Sequence, residues 1–268
     1  MGHISAIPGF RDIYASASIA PPALSATTSQ ISTAFLAAAS PSTAVAVLAL
    51  PPLLKLFAAL PMQLKVATPA ASLPTASAKV LADVALIEKK LKTSVYNANT
   101  KVDLLKGNFE FDCSGMVDWI LERSAPTAFA ELKAERPRVI EYVKALKAIP
   151  ANQPSAGWRR IAKIADAEPG DIVAWPTPDW YPSSATGHMG ILVAAPEAVD
   201  GGFLLRLADS TSYPHGDDSR EGGTGFGYGT VLITVDAKTG AGTGQGWTGR
   251  HSYNTVLETP IYVGRPLK

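Results

Sequence analysis

The spacing of apolar residues along the chain predicts helices first and strands afterwards. Between residues 79 and 149 the apolar positions recur every three or four residues, as on one face of a helix. The first predicted helix carries its apolar residues at Val80, Val84, Ile87 and Leu91. A second helix follows Asp112, a good N-cap, over residues 113–121, and a third covers residues 128–149 with a break at Pro137.

Beyond residue 157 the apolar spacing shortens to every second residue, which is typical of strands. The predicted strands lie at residues 172–175, 189–193, 203–208, 231–235 and 256–263. Clusters of Gly, Pro and Asp separate them, as in antiparallel sheets with tight turns. Helices followed by strands indicate an α+β domain rather than an alternating βαβ one. The glycine-rich runs 222–229 and 240–249 are interpreted as flexible loops, because neither carries a phosphate-loop motif.

The first 78 residues differ in composition from the rest of the chain. They carry four charged residues, and 45 of the 78 positions are Ala, Pro, Ser or Thr. Such a segment builds little packed core, which predicts a low-complexity extension (1–78) ahead of a folded domain (79–268). The extension has two interpretations, an export signal built on the apolar residues 44–60 or a linker. Export implies the cell envelope or secretion, and a linker leaves a cytoplasmic location open.

Charge and cysteine content exclude several classes of protein. The 24 Lys and Arg against 23 Asp and Glu give a net charge of +1, without the basic excess of nucleic-acid binding proteins. One cysteine, Cys113, excludes an intrachain disulfide framework and a cysteine-cluster zinc site, and no other metal or cofactor motif is found. No uninterrupted apolar run reaches about 18 residues, so no stable membrane span is predicted. The oligomeric state has no signature in the sequence.

Cys113 lies in the segment Asp112-Cys113-Ser114-Gly115, at the start of the second predicted helix. Free backbone N–H groups and the positive end of the helix dipole stabilise a thiolate there, so this position predicts a lowered thiol pKa and a nucleophile. The alternative is an inert cysteine that packs as a small apolar residue. Polar residues on both sides favour the nucleophile, because an inert core cysteine usually has apolar neighbours.

A nucleophilic thiol needs a base, and the base needs a partner that orients it. His188 begins a predicted strand and shares one face with Gly190, whose small size is expected to leave room for a substrate. Asp209 ends the next strand in otherwise apolar sequence and is the expected orienting group. Both also have structural interpretations, as an exposed strand-end histidine and a turn aspartate. His251 is a rival base.

The polar segment that follows Asp209 could bind a metal, but it shows no recognisable ligand spacing, and loss of its histidine is expected to matter far less than loss of Asp209. The histidine and the acidic residues in it are interpreted as a solvated loop at the rim of the cleft. These residues are His215, Asp217, Asp218 and Glu221. Arg206 and Arg220 are candidates for pairing with a substrate carboxylate.

Three motifs in order resemble the NlpC/P60 family of papain-like cysteine peptidases, over residues 94–210. They are Asp112-Cys113-Ser114-Gly115, Gly170-Asp171-Ile172-Val173 and Gly187-His188-Met189-Gly190-Ile191, followed by a polar residue closing the next strand. The resemblance implies a papain-like α+β fold in which the nucleophile stands at a helix N-terminus packed on an antiparallel sheet.

The resemblance also implies a role for each site residue. Cys113 would be the nucleophile, His188 the general base and acid, and Asp209 the third polar residue of the catalytic set. The backbone N–H of Cys113 would form part of the oxyanion hole. The substrate-binding residues would be Tyr96, Asp112 and Ser114, with Tyr96 alternatively helping to stabilise the oxyanion.

The implied activity is hydrolysis of an amide through a thioester, with no cofactor and no metal. Peptides, and in particular the peptide stems of bacterial peptidoglycan, are the implied substrates. Two alternatives stay open at this point. The same thioester serves acyl transfer when an acceptor other than water attacks it, and a non-catalytic binding module could retain the groove.

Overall fold

The computed structural model describes residues 75–215, 217–220, 223–247 and 256–268, which belong to one unit, Ala71–Lys268. The N-terminal extension before residue 75, Glu221 and His251 lie outside the described residues. Helix α1 begins at Ala76, with Thr75 as its N-cap, three residues before the expected start of the folded domain.

The described elements include four α-helices: α1 (Ala76–Lys90), α2 (Cys113–Ser124), α3 (Pro126–Ala130) and α4 (Val139–Ala148). The short strands near the N-terminal half are β1 (Thr93–Val95), β2 (Lys101–Asp103), β3 (Asn108–Glu110), β4 (Pro154–Ser155) and β5 (Trp158–Ile161). The remaining strands are β6 (Ile172–Pro176), β7 (Gly187–Leu192), β8 (Glu197–Val199), β9 (Gly202–Thr211), β10 (Gly225–Val235), β11 (Gly242–Gly246), β12 (Leu257–Glu258) and β13 (Tyr262–Pro266).

Strands β1, β3 and β2 form a small sheet in that order. The larger sheet has ten strands in the order β12-β11-β10-β9-β7-β6-β13-β5-β4, with β8 added on β9. All its strand pairs are antiparallel. The molecule is therefore an α+β protein, as predicted. The predicted order needs correction, because β1, β2 and β3 lie between α1 and α2, and β1 pairs parallel with β3.

Two buried clusters occupy the two faces of the larger sheet, because side chains alternate along each strand. Ile191 of β7 joins the cluster that contains the helix residues Val117 and Ile120. The next residue, Leu192, joins the second cluster with Leu207 of β9. Helix α2 packs against β7 and β9, which brings its N-terminus to the strands that carry His188 and Asp209.

Helix α2 begins where the sequence predicts. The Asp112 side chain accepts a hydrogen bond from the Gly115 N–H at 2.7 Å, as an N-cap does. The third predicted helix is split as expected around Pro137, into α3 and α4.

Two strand predictions need correction. The run 256–263 is not one strand but two, β12 and β13, because Pro260 has no N–H to donate and Thr259 turns its hydroxyl to the Pro176 carbonyl at 2.7 Å. The glycine-rich runs expected to be loops contain all of β11 and the first part of β10. These strand positions need glycine because neighbouring side chains fill the space that a Cβ would occupy.

The Gly170-Asp171 pair has a structural role in this chain. Asp171 is buried and accepts two hydrogen bonds from Arg265 of β13, from Nε at 2.8 Å and from Nη2 at 3.0 Å. Gly170 has a φ of +92°, and a Cβ there would lie 2.6 Å from the Ser77 carbonyl oxygen. The pair therefore ties the start of β6 to β13 and to helix α1.

Asp118 on α2 makes the stability depend on pH. Burial raises the pKa of Asp118 from 3.8 to about 7, against the lowering effect of the Tyr142 hydroxyl, which donates to Oδ1 at 2.6 Å. The folded-state pKa lies above the unfolded one. The stabilising contribution is therefore fully present below about pH 4 and is lost as the pH rises through about 7.

We expect Asp118→Asn to remove this loss, since the amide oxygen still accepts the Tyr142 hydrogen bond. Between pH 4 and pH 8 the free energy of unfolding, measured in urea, should fall by about 2 to 4 kcal/mol less in the variant than in the wild type. Tyr142→Phe removes the bond that lowers the pKa and should extend the loss of stability to higher pH. Parallel curves for Asp118→Asn and the wild type would contradict the assignment.

Candidate active site

Cys113 is the first residue of α2 and is 4% exposed. Burial, followed by the Asp112 carboxylate, raises the pKa of its thiol to about 12, against the lowering effect of the backbone N–H of Met189. The lowered pKa expected from the helix dipole is therefore wrong for the free protein. Exclusion from water outweighs the N–H groups and the dipole, so the thiol needs a base to remove its proton.

The Asp112 carboxylate is occupied on both oxygens by groups of the protein. Oδ1 accepts from the Gly115 N–H at 2.7 Å and from the Ser114 hydroxyl at 3.1 Å. Oδ2 accepts from Arg136 Nη2 at 2.6 Å. A substrate contact by Asp112 or Ser114, as the resemblance implies, would have to share or replace these bonds. Arg136 is a partly exposed cation next to Asp112, and sequence analysis missed it.

The structure brings Tyr96 to the thiol. Its hydroxyl is in hydrogen-bonding contact with Cys113, and burial, followed by the proximity of Cys113 and the charge of Asp112, raises the tyrosine pKa. The hydroxyl therefore stays protonated and can donate. Tyr96 directly follows β1, and its backbone N–H donates to Thr224 Oγ1 at 3.3 Å, which anchors it beside the loop that leads into β10.

His188 and Asp209 are hydrogen-bonded across neighbouring strands. His188 Nε2 lies 2.7 Å from Asp209 Oδ2, with the aspartate side chain fully buried and the histidine 14% exposed. Strands β7 and β9 pair antiparallel, so the start of β7 lies beside the end of β9. The Met189 N–H that contacts the Cys113 thiol belongs to the residue after His188. His188 and Asp209 are therefore hydrogen-bonded to each other, and the Cys113 thiol contacts the backbone of the residue after His188, at the same end of the sheet.

Gly190 does not provide room for a substrate, contrary to the expectation from its position. A Cβ there would lie 3.0 Å from the Ala208 carbonyl oxygen and 3.1 Å from Asp209 Cβ. These distances are tighter than ordinary van der Waals contact. The glycine instead lets β9 approach closely and places Asp209 within reach of His188.

Asp209 has two further partners that sequence analysis assigned elsewhere. His215 Nε2 lies 3.0 Å from Oδ2, the oxygen that His188 uses, and Arg220 binds Oδ1. His215 and Arg220 are buried, so the solvated loop expected for His215 is wrong, and Arg220 is not free for a substrate carboxylate. Burial raises the pKa of Asp209, but hydrogen bonds from His188 and His215 lower it more, to well below its usual range.

Glycines of β10 make room for these two partners. A Cβ on Gly229 would lie 2.0 Å from His215 Cγ, and one on Gly227 would lie 2.4 Å from Arg220 Cγ. Gly227 pairs with Asp209 across the sheet. The glycines alternate with larger residues along β10, so they share one face. A glycine at every second position of β10 is therefore the sequence signal that other side chains, here His215 and Arg220, pack over this face of the strand.

The segment between β9 and β10 is anchored by its acidic residues. Asp218 binds Arg220 and also accepts from the His215 backbone N–H at 2.7 Å. Asp217 accepts from Arg206 at 2.7 Å and from the Thr230 hydroxyl at 2.6 Å. Arg206 thus pairs with a carboxylate of the protein itself, and this contact does not support the expected pairing of Arg206 with a substrate carboxylate.

Aromatic rings enclose the two imidazoles. Trp247, directly after β11, stacks on His215 with ring centroids 4.3 Å apart and meets His188 edge-on at 4.7 Å. Trp175 of β6 lies 5.3 Å from the His188 ring. This apolar wall excludes water from the inner side of the Asp209 cluster, which strengthens its charge-assisted hydrogen bonds.

Within the described ranges, no group of three or more His, Cys, Asp or Glu residues is arranged to hold a metal ion. Among the same residues, no helix has the length and apolar character needed to cross a membrane.

Comparisons with known proteins find one similar protein, whose name gives no activity. No family model matches the chain, and no solved structure matches it. The chain is similar to "Uncharacterized protein R653" of Acanthamoeba polyphaga mimivirus, with 26% identity over 182 residues that cover 58% of this chain and 76% of that protein.

The raised thiol pKa predicts how Cys113 reacts with iodoacetamide. The rate, followed by mass spectrometry at this single cysteine, should keep rising through pH 9 with a midpoint above the value of about 8.5 for a free thiol. Asp112→Asn keeps an N-cap side chain but removes the negative charge, so its midpoint should move to lower pH. The urea-unfolded protein serves as the control with an ordinary midpoint. A plateau below pH 7 in the folded wild type would contradict the prediction.

Proposed function

We propose that this protein is a cysteine-dependent amide hydrolase in which Cys113 is the nucleophile, His188 the general base and acid, and Asp209 the group that orients His188. The observation that carries the proposal is the 2.7 Å bond from His188 Nε2 to the buried Asp209, on the two strands against which the helix that begins at Cys113 packs. A bond at Nε2 leaves Nδ1 as the ring atom that exchanges protons with the thiol.

The raised thiol pKa favours general-base catalysis over a preformed thiolate. Cys113 Sγ attacks the amide carbonyl carbon while its proton passes to His188. His188 then gives that proton to the leaving nitrogen as the C–N bond breaks, and a thioester remains. Water attacks the thioester, its proton passes to His188 and on to the departing sulfur, and the carboxylic acid leaves. The Tyr96 hydroxyl and the Cys113 N–H are the donors for the oxyanion.

The narrower part of the proposal concerns fold family and substrate. The order of the three motifs supports a papain-like fold of the NlpC/P60 type, and with it a peptide substrate such as the peptide stems of peptidoglycan. A peptidoglycan substrate would require the protein to act in the cell envelope or outside the cell. Arg136, partly exposed beside Asp112, adds a positive charge next to the nucleophile.

The first test is hydrolysis of defined muropeptide fragments followed by mass analysis. Wild-type protein should release a new amine and a new carboxylic acid, and Cys113→Ala and His188→Ala should each lower kcat/KM by roughly 10³-fold or more. Release of amine with the acyl group moved to another acceptor would show acyl transfer instead. Binding of the fragments without any cleavage by the folded wild type would show a binding module.

The second test addresses the orienting carboxylate. Asp209→Asn should lower kcat by roughly a hundredfold or more, because a neutral amide stabilises the imidazolium less and admits the wrong tautomer. Asp217→Asn is the matched control, since it removes a carboxylate of the neighbouring segment that binds Arg206 and Thr230 rather than His188. Equal activity of the two variants would remove Asp209 from the mechanism.

A further inference from the structure

The second histidine on Asp209 is a group that the mechanism above does not use. His215 Nε2 and His188 Nε2 both lie within 3.0 Å of the same atom, Asp209 Oδ2. The pKa of Asp209 is well below its usual range, so the aspartate is a carboxylate and accepts from both rings. Each ring must therefore carry a hydrogen on Nε2.

The other contacts of His215 show that it is built into the site. Its side chain is fully buried, stacks on Trp247 and lies in the space left by Gly229. Its Nδ1 is buried with no hydrogen-bond partner among the described residues. A lone pair is cheaper to leave unpaired there than an N–H of an imidazolium, which favours a neutral ring that donates from Nε2 alone.

We propose that His215 is a positioning residue that shares the Asp209 carboxylate with His188 and so weakens the hold of Asp209 on the His188 proton. An acceptor oxygen that receives two N–H bonds attracts each hydrogen less than one that receives a single bond. His188 then releases a proton to the leaving group more readily than in a pair with Asp209 alone. The inference rests on the proposed function only for the use of that proton, since the shared bond is independent of substrate.

The charged and titratable groups around the two rings allow this effect to be isolated. Arg220 compensates Asp209 at Oδ1 and is itself shared with Asp218. Cys113 begins α2 and Asp112 precedes it, and the Asp112 carboxylate is ion-paired with Arg136. From the end of β1 comes the protonated Tyr96. Trp175 and Trp247 supply uncharged rings. Exchange of His215 alone leaves all of these in place.

Two substitutions separate the hydrogen bond from the packing. His215→Phe keeps a ring against Trp247 and above Gly229 but has no N–H. His215→Gln has an amide whose N–H reaches about as far as Nε2 and donates without titrating. A purely structural role of His215 would make both variants unstable without changing the protonation of His188.

The measurement is an imidazole nitrogen NMR titration of the full chain, with His188→Gln used to assign the His188 signals. In wild-type protein both His188 and His215 should show the Nε2–H tautomer when neutral. In His215→Phe the midpoint of the His188 titration should move to higher pH by about half a unit or more, and in His215→Gln it should stay near the wild-type position.

The outcomes are separable from those of the hydrolysis assay, because no substrate is present. An unchanged His188 midpoint in folded His215→Phe overturns the inference, whether or not the protein cleaves peptides. A His215 ring that is doubly protonated at neutral pH, or neutral with hydrogen on Nδ1, overturns it from the wild type alone, even if the variants fail to fold. A shifted midpoint in a protein without hydrolase activity would leave the shared carboxylate intact and reject the proposed function.

Discussion

A carboxylate with no exposure to water must have its charge compensated, and most of this site is arranged around that requirement. Asp209 loses its hydration on the inner side of a ten-stranded sheet and receives three donors instead, from His188, His215 and Arg220. The donors come from a neighbouring strand and from the segment between β9 and β10. Without them the charged form could not persist there, and nothing would hold His188 in one orientation.

Cys113 and Tyr96 follow the opposite rule. Cys113 is buried and Tyr96 is half-buried, and neither forms an ion pair, so the loss of water raises both pKa values and keeps both groups neutral. The site thus combines carboxylates held by cationic partners, Asp209 with Arg220 and Asp112 with Arg136, with neutral proton donors. That division suits a reaction in which protons move during bond making rather than one that starts from a separated ion pair.

Local sequence signals were sufficient for the elements that hold the predicted residues, but not for the ones that support them. The N-cap at Asp112 and the alternation of apolar residues near His188 and before Asp209 can be recognised from neighbouring residues alone. They were enough to predict α2, β7 and β9. His215 lies in a polar stretch that is typical of a solvated loop, and only tertiary packing against β10 and Trp247 buries it. The thiol pKa was misjudged for the same reason, because a helix dipole is local and desolvation is not.

The glycines of β10 have a consequence for how this sequence can vary. Gly229 occupies the place where any other side chain would meet the His215 ring, and Gly227 stands in the same relation to Arg220. Position 229 can therefore accept a larger residue only in a chain that has also lost the imidazole at 215. Among homologues, positions 215 and 229 should therefore change together. A histidine at 215 without a glycine at 229 would mark a chain in which Asp209 is held in some other way.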